Sequence, residues 1–197
     1  MRERPILFSG PMVCAILAGT KTQTRRPVKL NASGRAYLSG RNWHLGDPKC
    51  VKACPYGQPG DRLWVRETFR PFPPCTEAPN LWNIVYGADA DQVEREAPKT
   101  YRPMLYNYER WSPSIHMPRW ACRIVLKITN VRVERLQEIS EQDATAEGAK
   151  WDARMYPMSF YFKELWDSVY SAKGRGWAAN PWVWVVEFRR VSATEAK

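Results

Sequence analysis

Gly19-Thr20-Lys21-Thr22-Gln23-Thr24-Arg25-Arg26 packs three cations and three hydroxyls into eight residues, directly behind a short apolar run. The residues ahead of it, 11–18, predict a short and mostly buried helix, with Pro11 at a favoured first helical position and Gly19 just past the end. Beyond that stop, Lys21, Gln23 and Arg25 alternate with Thr22, Thr24 and Arg26, and a strand sends the two sets to opposite faces. Lys21 and Thr24 share no strict strand face. A site that uses both therefore demands a turn or bulge between them. Pro27 closes the segment by removing a backbone donor.

The chain has 197 residues and neither a repeat nor a low-complexity linker, so one domain over 1–197 is expected. Its net charge of +10 comes from 30 Lys and Arg against 20 Asp and Glu. Such a field attracts polyanions, but it suits a basic protein without a nucleic-acid ligand equally well. Ten Trp, nine Tyr and six Phe are more informative, because aromatics beside basic residues stack bases, although many must belong to the core. Cysteines at 14, 50, 54, 75 and 122 form no paired framework. With no signal peptide and no apolar stretch of spanning length, a cytoplasmic protein with reduced thiols and no membrane contact is expected. Cys50 and Cys54, with His44 upstream, have the spacing of zinc ligands but lack a second pair; only Cys75 and His116 stand further off. Loop thiols are the expectation there, with no metal and no other cofactor.

Outward from the basic stretch, residues 5–8 read as a short strand feeding the helix. Residues 28–59, rich in turn formers, read as an excursion from the core that covers a pocket. Gly60 and Asp61 turn into a strand with Leu63 and Val65 on one face and Arg62, Trp64 and Arg66 on the other. Glu67 shares the Leu63 face, as either an arginine's salt-bridge partner or a site residue. Residues 70–120 form a second insertion with a strand near 82–86. At its end His116, with Arg119 and Trp120, has the chemistry to hold a flat anionic or heteroaromatic ligand, or His116 is a packing residue. A long or bent strand follows over 123–133. Ser140 then caps a short helix that stops at Gly148 and leaves Glu147 in the last turn, where the macrodipole disfavours a carboxylate. Ser159 caps a helix over 160–172 whose Phe162, Leu165, Trp166, Val169 and Tyr170 read as core. The closing strand, 182–191, is apolar on both faces and therefore central.

This order predicts an α+β fold, a small mixed β-barrel flanked by short helices. Within it, Gly19-x-Lys21-x-x-Thr24-x-Arg26 resembles the signature of the ASCH domain, a PUA-like β-barrel fold, whose pattern is Gly-x-Lys-x-x-Glu or Thr-x-Arg. The resemblance extends to the preceding helix, to Gly60-Asp61-Arg62-Leu63, to Glu147-Gly148 and to Val185-Val186-Glu187-Phe188. The insertions at about 28–59 and 70–120 lie outside the minimal domain, and the longer form looks like ASCH proteins of phages and prophages.

The resemblance implies a ligand pocket beside the barrel, used in relatives for RNA or nucleotides. One bacterial branch with Lys and Thr at the two signature positions deacylates N4-acetylcytidine. By that resemblance the chain is an amidohydrolase whose working residues are Lys21, Thr24 and Glu147. Gly148, directly after Glu147, is a departure. Chemically, Thr24 needs Lys21 as a neutral base, hence desolvated or crowded by Arg25 or Arg26, while a protonated Glu147 donates to the leaving amine. Lys21 as a cation stabilising the oxyanion is equally open. The expected substrate contacts are Arg26, Trp64, Glu67, His116 and Arg119. The expected partner is a small nucleoside. The alternative is a module that grips RNA or single-stranded DNA without catalysis, through its basic signature and Trp64, Trp111 and Trp120.

Overall fold

The strand that carries the basic stretch is one edge of the main sheet. In the computed structural model, which describes residues 1–38, 41–45, 48–73, 80–101, 110–148, 156–192 and 195, β1 (Glu3–Leu7) leads into α1 (Gly10–Leu17), and β2 (Gln23–Pro27) follows. Pro11 sits in the first turn of α1, and Gly19 lies beyond its end at φ 75°, a left-handed conformation that glycine adopts without strain. With β5 (Arg62–Arg66), β9 (Val125–Arg135) and β10 (Trp182–Arg190), these strands make a five-stranded mixed sheet in the order β1-β5-β9-β10-β2. β1 runs parallel to β5, and the other pairings are antiparallel. The ends of this ladder, β1 and β2, meet through a side chain. Arg26 Nη2 donates to the Leu7 carbonyl at 2.5 Å. Ile6, Phe8, Leu63, Val65, Trp184 and Val186 then share one apolar core.

The sequence pattern explains two of the three inner strands. Leu63 and Val65 are fully buried while Arg62, Trp64 and Arg66 are half-buried on the other face. β10 is paired on both sides, and Val183, Trp184, Val185 and Val186 are buried on both of its faces. A register shift between Glu187 and Phe188 bends it against β9.

The segment at 28–59 is not an excursion. It holds β3 (Ala36–Leu38), β4 (Arg41–Trp43) and α2 (Pro48–Lys52), and Val28, Ala36, Cys50 and Cys54 belong to the main core. Cys50 and Cys54 are therefore core residues and not loop thiols, and burial pushes the Cys54 thiol up to about 11. The second insertion contains β6 (Phe69–Phe72), β7 (Leu81–Tyr86) and β8 (Gln92–Glu96), a separate antiparallel sheet with its own core of Phe69, Trp82, Ile84, Tyr86 and Met117.

Two helices complete the frame. α3 (Glu141–Ala146) begins as expected, with Ser140 Oγ accepting from the Asp143 amide at 3.1 Å. α4 (Met158–Tyr170) begins before the expected Ser159, because its cap comes from α3. The Glu141 carboxylate accepts from the Met158 amide at 2.6 Å and from the Ser159 amide at 3.3 Å. Among the described residues no helix is long and apolar enough to cross a membrane.

Candidate active site

Lys21 and Thr22 lie outside the β2 ladder. The Lys21 amide donates to the Ala15 carbonyl at 3.1 Å, and Lys21 forms an isolated antiparallel bridge with Glu147. The Thr22 amide donates to Ala146 at 2.9 Å, while the Thr22 carbonyl accepts from Phe188 at 2.8 Å. The chain thus changes partner at Thr22. The Lys21 ammonium lies 5.7 Å from the Phe8 ring and the Arg26 guanidinium 5.2 Å. Lys21 also shares Glu147 with Arg25, while Thr24 shares its strand face with Arg26. Thr24 itself is buried, in register with Val186.

Gly148 makes the close approach possible. It has φ 79°, and a Cβ there would stand 2.7 Å from Lys21 Cβ and 2.9 Å from Ala15 Cβ. The departure noted in the sequence is thus a requirement of the packing. With no side chain at 148, Lys21 Nζ donates to Glu147 Oε2 at 2.7 Å and to the Glu147 carbonyl at 2.8 Å. Burial pulls the Lys21 ammonium below its ordinary pKa, Glu147 opposes this, and Arg26 and Arg25 add to the lowering.

Behind this pair lies a network that strand alternation brings together. Arg25, with no exposed side-chain surface, reaches Glu134 at 2.5 Å, Asp143 at 3.0 Å and Glu147 at 3.2 Å. Arg132 extends it, pairing with Glu134 at 2.8 Å, with Asp143 at 2.9 Å and with Glu187. Burial raises the Asp143 carboxyl, but Arg25 and Arg132 outweigh it and hold the group below its ordinary value. Sequence reasoning missed Asp143 and Glu134. Their only signal is an acidic residue at the N-terminal turn of α3 and another late in β9, which nothing links to Arg25 before folding.

A cavity of about 480 Å³ opens over this site. Arg25, Arg26 and Glu147 are its charged lining, with Phe8 and Met12 beside them and Phe162, Trp166, Val169 and Tyr170 of α4. Of the trio Lys21, Thr24 and Glu147, all buried, Glu147 is the member on the described lining. The apolar stripe of α4 is also divided. Phe162 and Trp166 are core as expected, but Val169 is 40% exposed, and together with Leu165 and Tyr170 it faces the cavity.

The remaining candidates lie apart from this cavity's described lining, except Arg26. Trp64 packs near Cys122, Val125 and Val191, with Arg66 over its ring at 5.4 Å. Glu67 is the salt-bridge partner of Arg123, through two bonds of 2.9 Å, and it lines a second hollow of about 320 Å³. Burial raises its carboxyl against the lowering by Arg123. His116 is exposed in a short turn, Ser114–His116. Arg119 is held by Glu3 at 2.7 Å, and Trp120 packs edge-on against Tyr101 with ring centres 4.8 Å apart. Arg119 and Trp120 are thus engaged elsewhere, and the expected grip around His116 is not assembled from them.

No protein-family model matches the chain, and no curated protein matches it. Among solved structures, an ASCH domain from Lactobacillus crispatus is similar at a TM-score of 0.45 and 13% identity, covering 96% of this chain and 79% of that one. The structural likeness is to an ASCH domain. A protein of Enterococcus faecalis, described by the family model DUF984, is similar at a TM-score of 0.44 and 10% identity, over 97% of this chain and 80% of that one. Likenesses at these scores carry nothing about the chemistry, which rests on the site.

Proposed function

We propose that the chain is an amidohydrolase acting on an N4-acylated cytidine or a related modified pyrimidine nucleoside. The observation that carries this reading is the buried Lys21–Glu147 pair at an aromatic-walled cavity, with Thr24 buried on the strand that follows Lys21. Phe8, Phe162, Trp166 and Tyr170 offer flat surface for a pyrimidine. Arg26 is bonded to one backbone carbonyl and has guanidinium donors left for a base or acyl oxygen.

The chemistry follows from burial. Desolvation favours the neutral Lys21 amine, which takes the Thr24 hydroxyl proton as Oγ attacks the acyl carbonyl carbon. The carbon–N4 bond breaks as the proton held between Lys21 and Glu147 passes to N4, releasing the cytidine amine. Water then hydrolyses the Thr24 ester, freeing the carboxylic acid and restoring the hydroxyl. Glu147, on the cavity side, meets the amide first. The test is acetate and cytidine release from N4-acetylcytidine. Lys21→Ala and Glu147→Gln should be inactive with an unchanged circular dichroism spectrum, and no turnover of any N4-acylcytidine would sink the reading.

A second reading, a nucleic-acid-binding module without catalysis, is supported by the net charge of +10 and by Arg70 lying over the exposed Trp111. It expects binding that weakens steeply with salt and no turnover.

A further inference from the structure

Glu147 is held from two sides. Its Oε2 accepts from Lys21 Nζ at 2.7 Å, and its Oε1 accepts from Arg25 Nη1 at 3.2 Å. Donors on both oxygens fix the plane of a carboxylate whose last torsion is otherwise broad. Arg25 is itself fixed. Its Nε and Nη2 both donate to Glu134 Oε1, at 3.1 and 2.5 Å, and Nη2 also meets Asp143 Oδ2 at 3.0 Å. The planar fork then leaves Nη1 turned to Glu147. Phe162 covers the guanidinium, with its ring centre 5.8 Å away. Arg25 has no exposed side-chain surface, yet it lies with Glu147 on the lining of the 480 Å³ cavity.

The charges around Lys21 are of both signs. Glu147 comes from the end of α3, and Arg25 and Arg26 come from β2, while Ala15 of α1 and Phe8 bring none. Beyond Arg25 stand Glu134 of β9 and Asp143 of α3, with Arg132 joined to both and to Glu187 of β10. Tyr170 is the titratable group that α4 places on the cavity. Glu147 draws the Lys21 proton, and Arg26 and Arg25 repel it. Of these two arginines, Arg25 is the one bonded to Glu147, since Arg26 donates to the Leu7 carbonyl. An isolated pair of Lys21 and Glu147 would keep the proton on the amine and leave no base for Thr24. A cation on the other oxygen of Glu147 weakens that hold.

We infer that Arg25 is a positioning residue of this site: through Nη1 it orients Glu147 and offsets its charge, so that Lys21 releases its proton and serves Thr24 as a base. The service to Thr24 rests on the amidohydrolase reading; the control of Lys21 does not. The test follows the titration of Lys21 by NMR in protein labelled with carbon-13 at the lysine ε-carbons, with Lys21→Met assigning the signal. Beside it runs the pH dependence of kcat/KM for acetate release from N4-acetylcytidine. Arg25→Met removes a cation and should move the Lys21 titration and the acid limb of the rate profile upward by about one pH unit. Asp143→Asn removes an anion from the far side of Arg25 and should move both downward. Arg25→Lys keeps the charge without the fork, so the titration should return toward wild type while kcat stays reduced. A merely structural Arg25 predicts otherwise, because loosened packing admits water in either variant, relieves the burial of the ammonium and moves the titration upward in both. An upward or absent shift in Asp143→Asn, or a downward or absent one in Arg25→Met, overturns the inference, and Asp143→Asn decides alone if Arg25→Met does not fold. Wild-type kcat in Arg25→Lys would refute the orienting role. Opposite shifts without amide turnover leave the control of Lys21 standing and sink the amidohydrolase reading. Turnover with a Lys21 titration indifferent to both variants does the reverse.

Discussion

Arg25 and Arg26 are adjacent in the chain, and the regions they enter differ in kind. Arg25 meets three carboxylates under α3 and has no exposed side-chain surface. Arg26 meets one carbonyl and one aromatic ring beside the cavity, and its Nε is unpaired. Successive strand residues face opposite ways, so a single dipeptide supplies one cation to a carboxylate network and another to a backbone carbonyl, although both touch the cavity. The first is committed to its carboxylates. The second keeps donors in reserve.

The sharpest way to break this contrast is to remove each charge in turn. Arg25→Met leaves Glu134, Asp143 and Glu147 short of a cation and should destabilise the fold by about 3–5 kcal/mol in urea unfolding. Arg26→Met should lose only about 1 kcal/mol, the worth of one hydrogen bond. Equal losses would show that the two regions are energetically alike.

Gly148→Ala probes the hinge between them. The left-handed φ and the 2.7 Å approach to Lys21 should together cost about 2 kcal/mol and disturb the Lys21–Glu147 pair. A melting temperature and acetate-release rate equal to wild type would remove Gly148 from the account of the site.

Acid and base titrations separate the contributions further. The folded pKa of Asp143 lies below its unfolded value, so its stabilisation is present above the unfolded pKa and is lost as pH falls through the folded one. Arg25→Met should flatten that acid limb. The folded pKa of Lys21 is also lowered, but here burial disfavours the charge. Between the folded and unfolded values the unfolded chain binds more protons, and stability rises with pH. Lys21→Met should abolish that rise, and a wild-type chain whose stability falls throughout this window would contradict a desolvated Lys21.

The smallest effect belongs to Arg119. Its pair with Glu3 is exposed, so Arg119→Ala should change stability by less than about 1 kcal/mol. A larger loss would mean that surface pairs carry more of this fold than the buried network suggests.

The sequence makes the elements around the basic stretch legible because their signals are local. Pro11 and Gly19 bound α1, Ser140 and Gly148 bound α3 with its C-terminal turn, and alternation orients β5 and β10. What stayed hidden depends on partners distant in the chain. The start of α4 is displaced because Glu141 supplies its cap, 17 residues upstream of Met158. Glu67 turns inward, as its strand face predicts, but only folding brings Arg123 to it, 56 residues away. Helical spacing gathers Leu165, Val169 and Tyr170 on one side of α4 without saying whether a neighbouring element or a cavity lies opposite. Residues 28–59 carry apolar side chains too sparse and irregular to show a period, yet four of them reach the main core.

That last segment has a practical consequence. Cys50 and Cys54 are sealed inside the packing, and the raised pKa of Cys54 keeps little thiolate available near neutrality. An alkylating reagent can reach them only when the 48–54 region opens. The rate at which these two thiols are trapped should therefore clock the opening of this part of the core, a chemical stopwatch already built into the chain.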